Sequence, residues 1–428
     1  MTGRDKSGDA IVSRVPFFYG WVMLPVAMVI QVATSPGQTH GVSVFNPSLR
    51  ESLNLSHSEL TGAYMVGTML ASVPMVAVGS LMDRYGPRLV LALVTSLFCI
   101  ACAAFSQVSG LVTLFLGFMF LRMLAQGSMS LLAQNTLAMW FNRRLGLASG
   151  IKSMGMAFGL GVIPPFHLWL IQSYGWRTAY VILGGMVALS VLPLLAVVYR
   201  NRPEDVGQVP DGAPKIRLSK GHGGDAEEVN ATLREAMRTR AFWILAGCMA
   251  SWSAIGTGIT FNIVPLFLDH GFQEADAALM FTTLAVASGV SMLVGGLLAD
   301  RFRLNLLLSL SMAGMAISIG QLMVMTTSLD VHLFATGMGL SQGLMMSVGS
   351  TVWVRYYGRR HLGKIRGSLT TVGVGASSLG PFLMGAAYDL TGGYAEILWV
   401  FLSVYAPLAV VALFATPPRK SDGGPGTA

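Results

Sequence analysis

Charged side chains are scarce in this chain of 428 residues. Asp, Glu, Lys and Arg make up 11% of it, against about 25% in ordinary soluble domains. Hydrophobic residues make up 53%, which excludes a soluble fold of this size because too much apolar surface would face water. The composition also excludes disordered, collagen-like and disulfide-framework proteins. The class that remains is a membrane protein, with room for twelve helices of ~20 residues each.

Cysteine is nearly absent as well. Cys99, Cys102 and Cys248 all lie inside apolar runs, and no histidines stand at metal-ligand spacing from them. We interpret the three as small buried hydrophobic residues, and we expect neither a metal nor a cofactor. The sequence contains no nucleotide-binding motif and no nucleophile–base pair at plausible depth, which disfavours an enzyme.

Twelve apolar runs follow one another along the chain, each long enough to cross a hydrocarbon core. They lack strand-like alternation, so we predict helices, because lipid offers an unpaired backbone no hydrogen-bond partner. We number them spans one to twelve: Phe17–Phe45, Leu60–Leu81, Leu89–Ser106, Leu111–Met139, Leu145–Ile171, Thr178–Tyr199, Phe242–Leu268, Ala277–Ala299, Leu304–Thr327, Leu333–Val354, Gly367–Tyr388 and Ile397–Ala415.

Basic residues are concentrated in the connections on one side of the predicted spans. The opposite connections hold only Arg50 and Arg177. The positive-inside rule therefore predicts a multi-pass protein of the plasma (inner) membrane with both termini in the cytoplasm. The net charge of +8 reflects this topology, and no basic stretch interleaved with aromatic residues points to nucleic acid. The basic side carries Arg84, Arg88, Arg143, Arg144, Arg301, Arg303, Arg359, Arg360, Lys364 and Arg366.

One long hydrophilic stretch divides the chain into two halves. It mixes both charge signs and contains three prolines, as a linker does, and its end has the spacing of a short helix on the membrane surface. We predict an N-terminal tail (1–16), a first six-helix bundle (17–199), the linker with its surface helix (200–240), a second six-helix bundle (241–416) and a C-terminal tail (417–428).

The two halves repeat each other in sequence. "GSLMDRYGPR" at Gly79–Arg88 matches "GLLADRFR" at Gly296–Arg303, which sets their aspartates, Asp83 and Asp300, 217 residues apart. Gln126 and Gln342 are 216 residues apart, and Pro47 and Pro265 are 218 apart. A duplicated six-helix unit explains the shared offset and predicts a cavity between the halves near mid-membrane, reached alternately from each side.

These features resemble the major facilitator superfamily of transporters over the whole chain. "GSLMDRYGPR" resembles the superfamily's cytoplasmic loop motif, and "RMLAQG" at Arg122–Gly127 resembles its span-four Arg-x-x-x-Gly pattern. The resemblance implies two pseudo-symmetric six-helix bundles, an all-α membrane fold. It also implies a cytoplasmic gate formed by Asp83, Arg84, Arg88, Asp300 and Arg301.

Three longer stretches resemble one branch of that superfamily, the monocarboxylate porters and oxalate–formate antiporters. They are "WFNRRLGLASGIKSMGMAFG", "RNRPEDVGQVPDG" and "GPFLMGAAYDLTGGY". Two departures stand out. Met292 lies near the place where that branch commonly has an arginine in span eight, and span eleven lacks the lysine of the oxalate carriers.

No acidic residue lies in the middle of a predicted span, whereas basic residues do. A charge at a helix centre costs about 2.5–3.5 kcal/mol on insertion scales, so it requires a reason. Arg122 lies midway along span four, and Lys152 lies about two turns into span five. A cavity with arginine and no acid attracts an anion, and the planar guanidinium suits a carboxylate. Arg122 has a structural alternative, bonding to carbonyl groups of span one, and Lys152 has another, reaching its ammonium to the interface.

Further polar side chains are candidates for the same pathway. His40 in span one is either a proton carrier or a neutral, hydrogen-bonded residue, and we expect His167 in span five to serve in packing. Candidates for substrate binding are Gln38 and Thr39 after Pro36-Gly37, Gln126 one α-helical turn beyond Arg122, Asn262, Gln342 and Tyr64. For the amides and Thr39 the alternative is hydrogen bonding between helices, and for Tyr64 it is packing.

The leading prediction is therefore a secondary transporter, monomeric in the lipid bilayer, for a small organic anion such as a monocarboxylate. A monovalent anion entering against a negative interior costs about 2.3 kcal/mol per 100 mV, so uptake requires a co-transported proton or anion exchange. The alternative function is export of amphipathic drugs or hydrophobic metabolites on the same fold, which the missing span-eight arginine and the many methionines favour.

Overall fold

The computed structural model describes residues 17–74, 78, 81–82, 84–141, 145–209, 231–358 and 362–418, and all the regular elements in them are helical. The α-helices of the first half are Gly20–Ala33, Thr39–Ser43, Asn46–Leu53, His57–Ala71, Pro87–Phe105, Leu111–Leu121, Ser130–Trp140 and Leu145–Val197. Those of the second half are Leu233–Met237, Arg240–Ser251, Thr257–Phe261, Ile263–Asp269, Glu274–Arg301, Leu304–Val324, Ser328–Tyr357, Leu362–Thr391 and Ala395–Ala412.

These helices confirm the all-α membrane fold. Eight ranges within the described residues are long and apolar enough to cross a membrane, and one of them, Phe158–Val197, takes in the second half of the predicted span five and most of span six. The helix Leu145–Val197 that contains it is interrupted at Gly175, whose φ of +76° is non-helical. Spans ten and eleven are also helical, and the helix His57–Ala71 forms the first part of span two. Glycine, serine and threonine are frequent in spans ten and eleven, which lowers their hydropathy.

Four of the predicted spans contain irregular backbone among the described residues, and span two is one of them, with a turn at residues 72–74. In span one the first α-helix ends at Ala33 and a 3₁₀ turn follows at Ser35–Gly37, because Pro36 lacks an N–H group and Gly37 tolerates other conformations. Spans four and seven each contain a π-helical segment, at Arg122–Met129 and Trp252–Gly256. The end of the predicted linker contains a short helix, Leu233–Met237, capped by Thr232, and its place on the membrane surface stays a prediction.

The chain packs as two compact units. Unit one comprises Met1–Lys220, Ile259–Thr282 and Pro381–Gly392, so it takes in segments of spans seven, eight and eleven. Unit two comprises Gly221–Gly258, Thr283–Gly380 and Gly393–Ala428. The two-bundle division at the linker stays a prediction.

Unit one is built around buried aromatic side chains. The Tyr180 ring lies 4.4 Å from the Phe45 ring and 4.5 Å from the Phe105 ring, between centroids. The Tyr19 hydroxyl donates to the Val198 carbonyl over 2.7 Å, which fastens the start of span one to the end of span six. Such rings bury large apolar areas and fix the positions of the helices that carry them.

Span eleven caps the helix of span two within unit one. The Asp389 carboxylate accepts hydrogen bonds from the backbone N–H groups of His57 (3.1 Å) and Ser58 (2.7 Å), which have no partner inside their own helix. The Tyr388 ring stacks on His57 at 3.9 Å between centroids. An acceptor with negative charge suits this helix N-terminus.

In unit two, span ten approaches the backbone of span eight very closely. A Cβ atom on Gly343 would lie 2.5 Å from Ser291 Cβ and 2.6 Å from the Met292 nitrogen. Gly339, four residues earlier, has a similar approach to the Leu284 carbonyl, so the pair forms a small-xxx-small motif. The Ser291 hydroxyl uses this proximity to donate to the Leu340 carbonyl over 2.6 Å.

We expect Gly343→Ala to destabilise the protein by about 1–3 kcal/mol, because the added methyl group overpacks against backbone atoms. Gly320→Ala is the matched control, since the space beside Gly320 is open. Thermal unfolding in detergent measures both variants. An unchanged melting temperature for Gly343→Ala would show that the two helices are not in close contact.

We expect Asp389→Ala to lower stability by about 0.5–1 kcal/mol, in the range of a lost helix cap. Asp389→Asn retains an acceptor oxygen and should lose less. Limited proteolysis at the connection between spans one and two, combined with thermal unfolding, measures the effect. Equal stability of all three proteins would contradict the capping role.

Candidate functional site

The break in span one brings its backbone against span four. A Cβ atom on Gly37 would lie 2.5 Å from the Leu121 carbonyl oxygen and 2.7 Å from Ala125 Cβ, so the residue has room for no side chain. The 3₁₀ turn also leaves the Gly37 carbonyl without a regular α-helical partner. This carbonyl therefore faces span four as a hydrogen-bond acceptor beside Arg122.

Arg122 is almost fully buried, with 3% of its surface exposed, and its guanidinium contacts spans one and two. Its Nη1 donates to the Gly37 carbonyl and to the Thr39 hydroxyl, each over 3.2 Å. Its Cζ lies 4.9 Å from the centroid of the Tyr64 ring, as in a cation–π contact. The Tyr64 and Thr39 hydroxyls are 2.9 Å apart, so these three side chains form one cluster.

The Arg122 guanidinium contacts only neutral groups within the described part of the chain. Among the residues that the structure describes, no acidic side chain pairs with it, and Nε has no hydrogen-bond partner. A carbonyl, a hydroxyl and a ring face lower the cost of burying the cation, but they leave its charge uncompensated. Arg122 therefore bonds to span one, as its structural alternative predicts, and its Nε donor still has no partner among the described residues.

Gln126 follows Arg122 in a π-helical segment rather than the expected α-helix. Hydrogen bonds in a π-helix run from i to i+5, so the turn is wider than the expected α-helical one, and the shared face of Arg122 and Gln126 stays a prediction. Ser128 and Ser130 donate to carbonyls five residues earlier, at 2.8 and 3.3 Å. The Gln126 Oε1 is buried without a partner among the described residues.

A second polar group lies next to the Arg122 cluster. Gln38 donates to the hydroxyls of Thr34 (3.0 Å) and Ser130 (3.3 Å), and Gln31 donates to Ser130 over 3.1 Å. These amides and His40 line a small cavity of about 10 Å³, enough for roughly one water molecule. His40, which the sequence offers as a possible proton carrier, is half-buried and lies beside this polar cavity.

The two other cationic candidates of span five have separate surroundings. His167 is buried, contacts the Gly41 carbonyl through Nδ1 at 3.2 Å and packs its ring against Phe45, in agreement with the expected packing role. Lys152 is half-buried in the same helix. Within the described residues, no hydrogen bond or ring contact joins Lys152 to the Arg122 cluster.

Tyr64 has a further neighbour that the sequence did not reveal. The Phe261 ring from span seven lies 4.0 Å from the Tyr64 ring, and both side chains are fully buried. Asn46 donates from Nδ2 to the Phe261 carbonyl over 2.5 Å. The sequence contains one signal for this contact. Pro265 lies four residues after Phe261 and has no N–H group to donate to the Phe261 carbonyl, which therefore needs another donor.

The remaining polar candidates are not part of this cluster. Asn262 belongs to unit one and donates to the Pro381 carbonyl over 3.4 Å, which is a contact between helices. Gln342 belongs to unit two, and its Oε1 is buried without a partner in the described part of the chain.

Of the predicted gate residues, Asp83 and the side chain of Asp300 lie outside the described residues. Arg84 is exposed and lies over the ring of Tyr85. Arg88 donates from Nε to the Leu195 carbonyl over 2.7 Å and from Nη2 to the Ala196 carbonyl, at the end of span six. Arg301 is exposed at the end of span eight.

Comparison with known proteins agrees with this architecture. Monocarboxylate transporter 2 of Homo sapiens is 26% identical over 88% of this chain and 81% of its own length. The same transporter of Mesocricetus auratus is 27% identical over 66% of this chain, but this match spans only 59% of that protein. A probable sulfoacetate transporter of Cupriavidus necator is 23% identical over 88% of this chain and 89% of its own length.

Solved structures show the same fold. A bacterial homologue of the human lysosomal transporter Spinster, in an inward-facing and occupied conformation, superposes with a TM-score of 0.68 at 16% identity, over 93% of this chain and 96% of that one. The family model described as Major Facilitator Superfamily matches residues 27–273 and 248–428. These matches cover nearly the whole chain, which therefore belongs to the Major Facilitator Superfamily and is a multi-pass membrane transporter rather than an enzyme.

Proposed function

We propose that this transporter carries a small organic anion of the monocarboxylate class by alternating access. The observation that carries the proposal is the buried guanidinium of Arg122, which has neutral neighbours and whose buried Nε has no partner among the described residues. A carboxylate would supply the missing acceptor and the missing negative charge together. Thr39 and Tyr64 hold the guanidinium in place, and the amide N–H group of Gln126, on the same segment, is our candidate second donor to the carboxylate.

Electrostatics favour an anion over a cation at this position. A lipophilic cation brought beside Arg122 would meet a like charge in a medium of low dielectric, where Coulomb repulsion is strong. An anion gains attraction that water does not screen. Two relatives, a monocarboxylate transporter and a probable sulfoacetate transporter, are named for small organic anions, which supports the same class of cargo here.

Net uptake of a monovalent anion also requires an energy source. Moving one negative charge into a cell with a negative interior costs about 2.3 kcal/mol per 100 mV, which co-transport of one proton or exchange for another anion offsets. His40 is our candidate for the proton carrier, because its imidazole, a group that can bind a proton, borders the polar cavity beside Gln38. Lys152 is a second candidate for a charge role.

Sidedness and gating belong to the same proposal. We place the protein in the plasma membrane with both termini in the cytoplasm, on the strength of its basic connections. In that orientation the sequence segments with Asp83, Arg84, Arg88, Asp300 and Arg301 lie on the cytoplasmic side. The pathway also includes Gln38, Thr39, Asn262 and Gln342 as candidate polar lining.

We expect Arg122→Gln to raise the KM for labelled L-lactate or sulfoacetate about 10- to 100-fold in proteoliposomes, because a charge-assisted hydrogen bond is lost. Arg122→Lys, which keeps the charge without the fork, should lose less. Arg177→Gln is the matched control, since Arg177 bonds the Val108 carbonyl and lies over the Trp176 ring.

Two outcomes would contradict the proposed function. One is an unchanged KM for every carboxylate in a folded Arg122→Gln protein. The other is displacement of a bound probe by lipophilic cations and not by carboxylates, which would favour export of amphipathic compounds instead.

A further inference from the structure

The carbonyl of Phe261 lacks the hydrogen bond that an α-helix would give it. Its partner would be the N–H group four residues later, but that residue is Pro265. The helix Thr257–Phe261 ends there, Asn262 has non-helical angles (φ −96°, ψ 14°), and a new helix begins at Ile263. A buried carbonyl without a partner is costly, so this break requires a donor from elsewhere.

Asn46 supplies that donor. Its side chain is 2% exposed and donates from Nδ2 to the Phe261 carbonyl over 2.5 Å. Its Oδ1 has no partner among the described residues, so this donation is the contact that orients the amide. Asn46 begins the short helix Asn46–Leu53, followed at once by Pro47, which fixes the backbone next to it.

The contact continues from Phe261 to Arg122. The Phe261 and Tyr64 rings lie 4.0 Å apart between centroids, and the centroid of the Tyr64 ring lies 4.9 Å from Arg122 Cζ. The Tyr64 hydroxyl is 2.9 Å from Thr39 Oγ1, which also accepts from Arg122. Asn46, Phe261, Tyr64 and Arg122 all belong to unit one.

We propose that Asn46 is a positioning residue for transport: it replaces the hydrogen bond that Pro265 removes, holds Phe261 against Tyr64, and so orients Arg122 for the substrate. This inference rests on the proposed role of Arg122 in binding the anion. A movement of the segment Ile259–Asp269 away from Asn46 would break this contact and would remove the ring that packs on Tyr64. Asn46 would thereby link the position of span seven to the orientation of the buried cation.

The proline provides a specific test of this role. Asn46→Ala leaves the Phe261 carbonyl unpaired, whereas Pro265→Ala restores a backbone N–H group that can pair with it. Deuterium uptake by the peptide 259–270 should rise about fivefold in Asn46→Ala, in line with the loss of one hydrogen bond. In the double variant it should return to the level of Pro265→Ala alone. Asn305→Ala is the matched control, because Asn305 also donates to a carbonyl, that of Leu413, but in unit two.

Transport kinetics test the consequence for Arg122. For labelled L-lactate we expect Asn46→Ala to raise the KM several-fold more than it lowers the maximal rate, and Pro265→Ala to reverse this rise. A merely structural role would instead reduce the amount of folded protein and leave the KM unchanged. Equal deuterium uptake in wild type and Asn46→Ala, or a raised KM that Pro265→Ala does not reverse, would overturn the inference.

These outcomes are distinguishable from failure of the proposed function. If Arg122→Gln leaves the KM unchanged even though Asn46→Ala and the double variant show the expected deuterium uptake, the anion site at Arg122 is wrong, and so is the positioning role. If Arg122→Gln raises the KM but the expected deuterium uptake is not observed, only the role of Asn46 is wrong.

Discussion

A positive charge buried among neutral groups is the constraint on which the rest of unit one depends. Burying a guanidinium is costly unless its donors are paired, and Arg122 meets part of that cost with the Gly37 carbonyl, the Thr39 hydroxyl and the Tyr64 ring. None of these partners neutralises the charge. The site is therefore stable enough to exist and still attractive to an anion, which a salt bridge with an acidic residue would have prevented.

Irregular backbone in spans one, four and seven provides or supports the contacts of Arg122. The 3₁₀ turn of span one presents the Gly37 carbonyl, and the π-helical segment of span four carries Arg122 and Gln126. Serine hydroxyls give the Met123 and Ala125 carbonyls of the π-helical segment an additional donor, and the Asn46 amide pairs with the Phe261 carbonyl, whose α-helical partner Pro265 removes. Such segments are tolerated at membrane depth only where protein or a polar cavity satisfies the backbone, so they tend to mark functional regions.

Much of the architecture follows from hydrophobicity and charge alone. Lipid enforces helices of a minimum length, so the apolar runs predicted the spans, and Pro36-Gly37 indicated where span one is irregular. The absence of intramembrane acids predicted that Arg122 has no acidic partner among the described residues. The sequence did not reveal the π-helical segment of span four, because no proline or glycine pattern distinguishes it from an α-helix. Nor did it reveal the contact of Asn46 with Phe261, which joins residues 215 positions apart.

The central claim is that an anion completes the environment of Arg122, and a structure of the protein with sulfoacetate bound tests it most directly. The account predicts an oxygen of the carboxylate or the sulfonate within hydrogen-bond distance of Arg122 Nε, with the Gly37 carbonyl and Tyr64 still in contact with the guanidinium. Sulfoacetate bound elsewhere in the transporter, with Nε still unpaired, would contradict it.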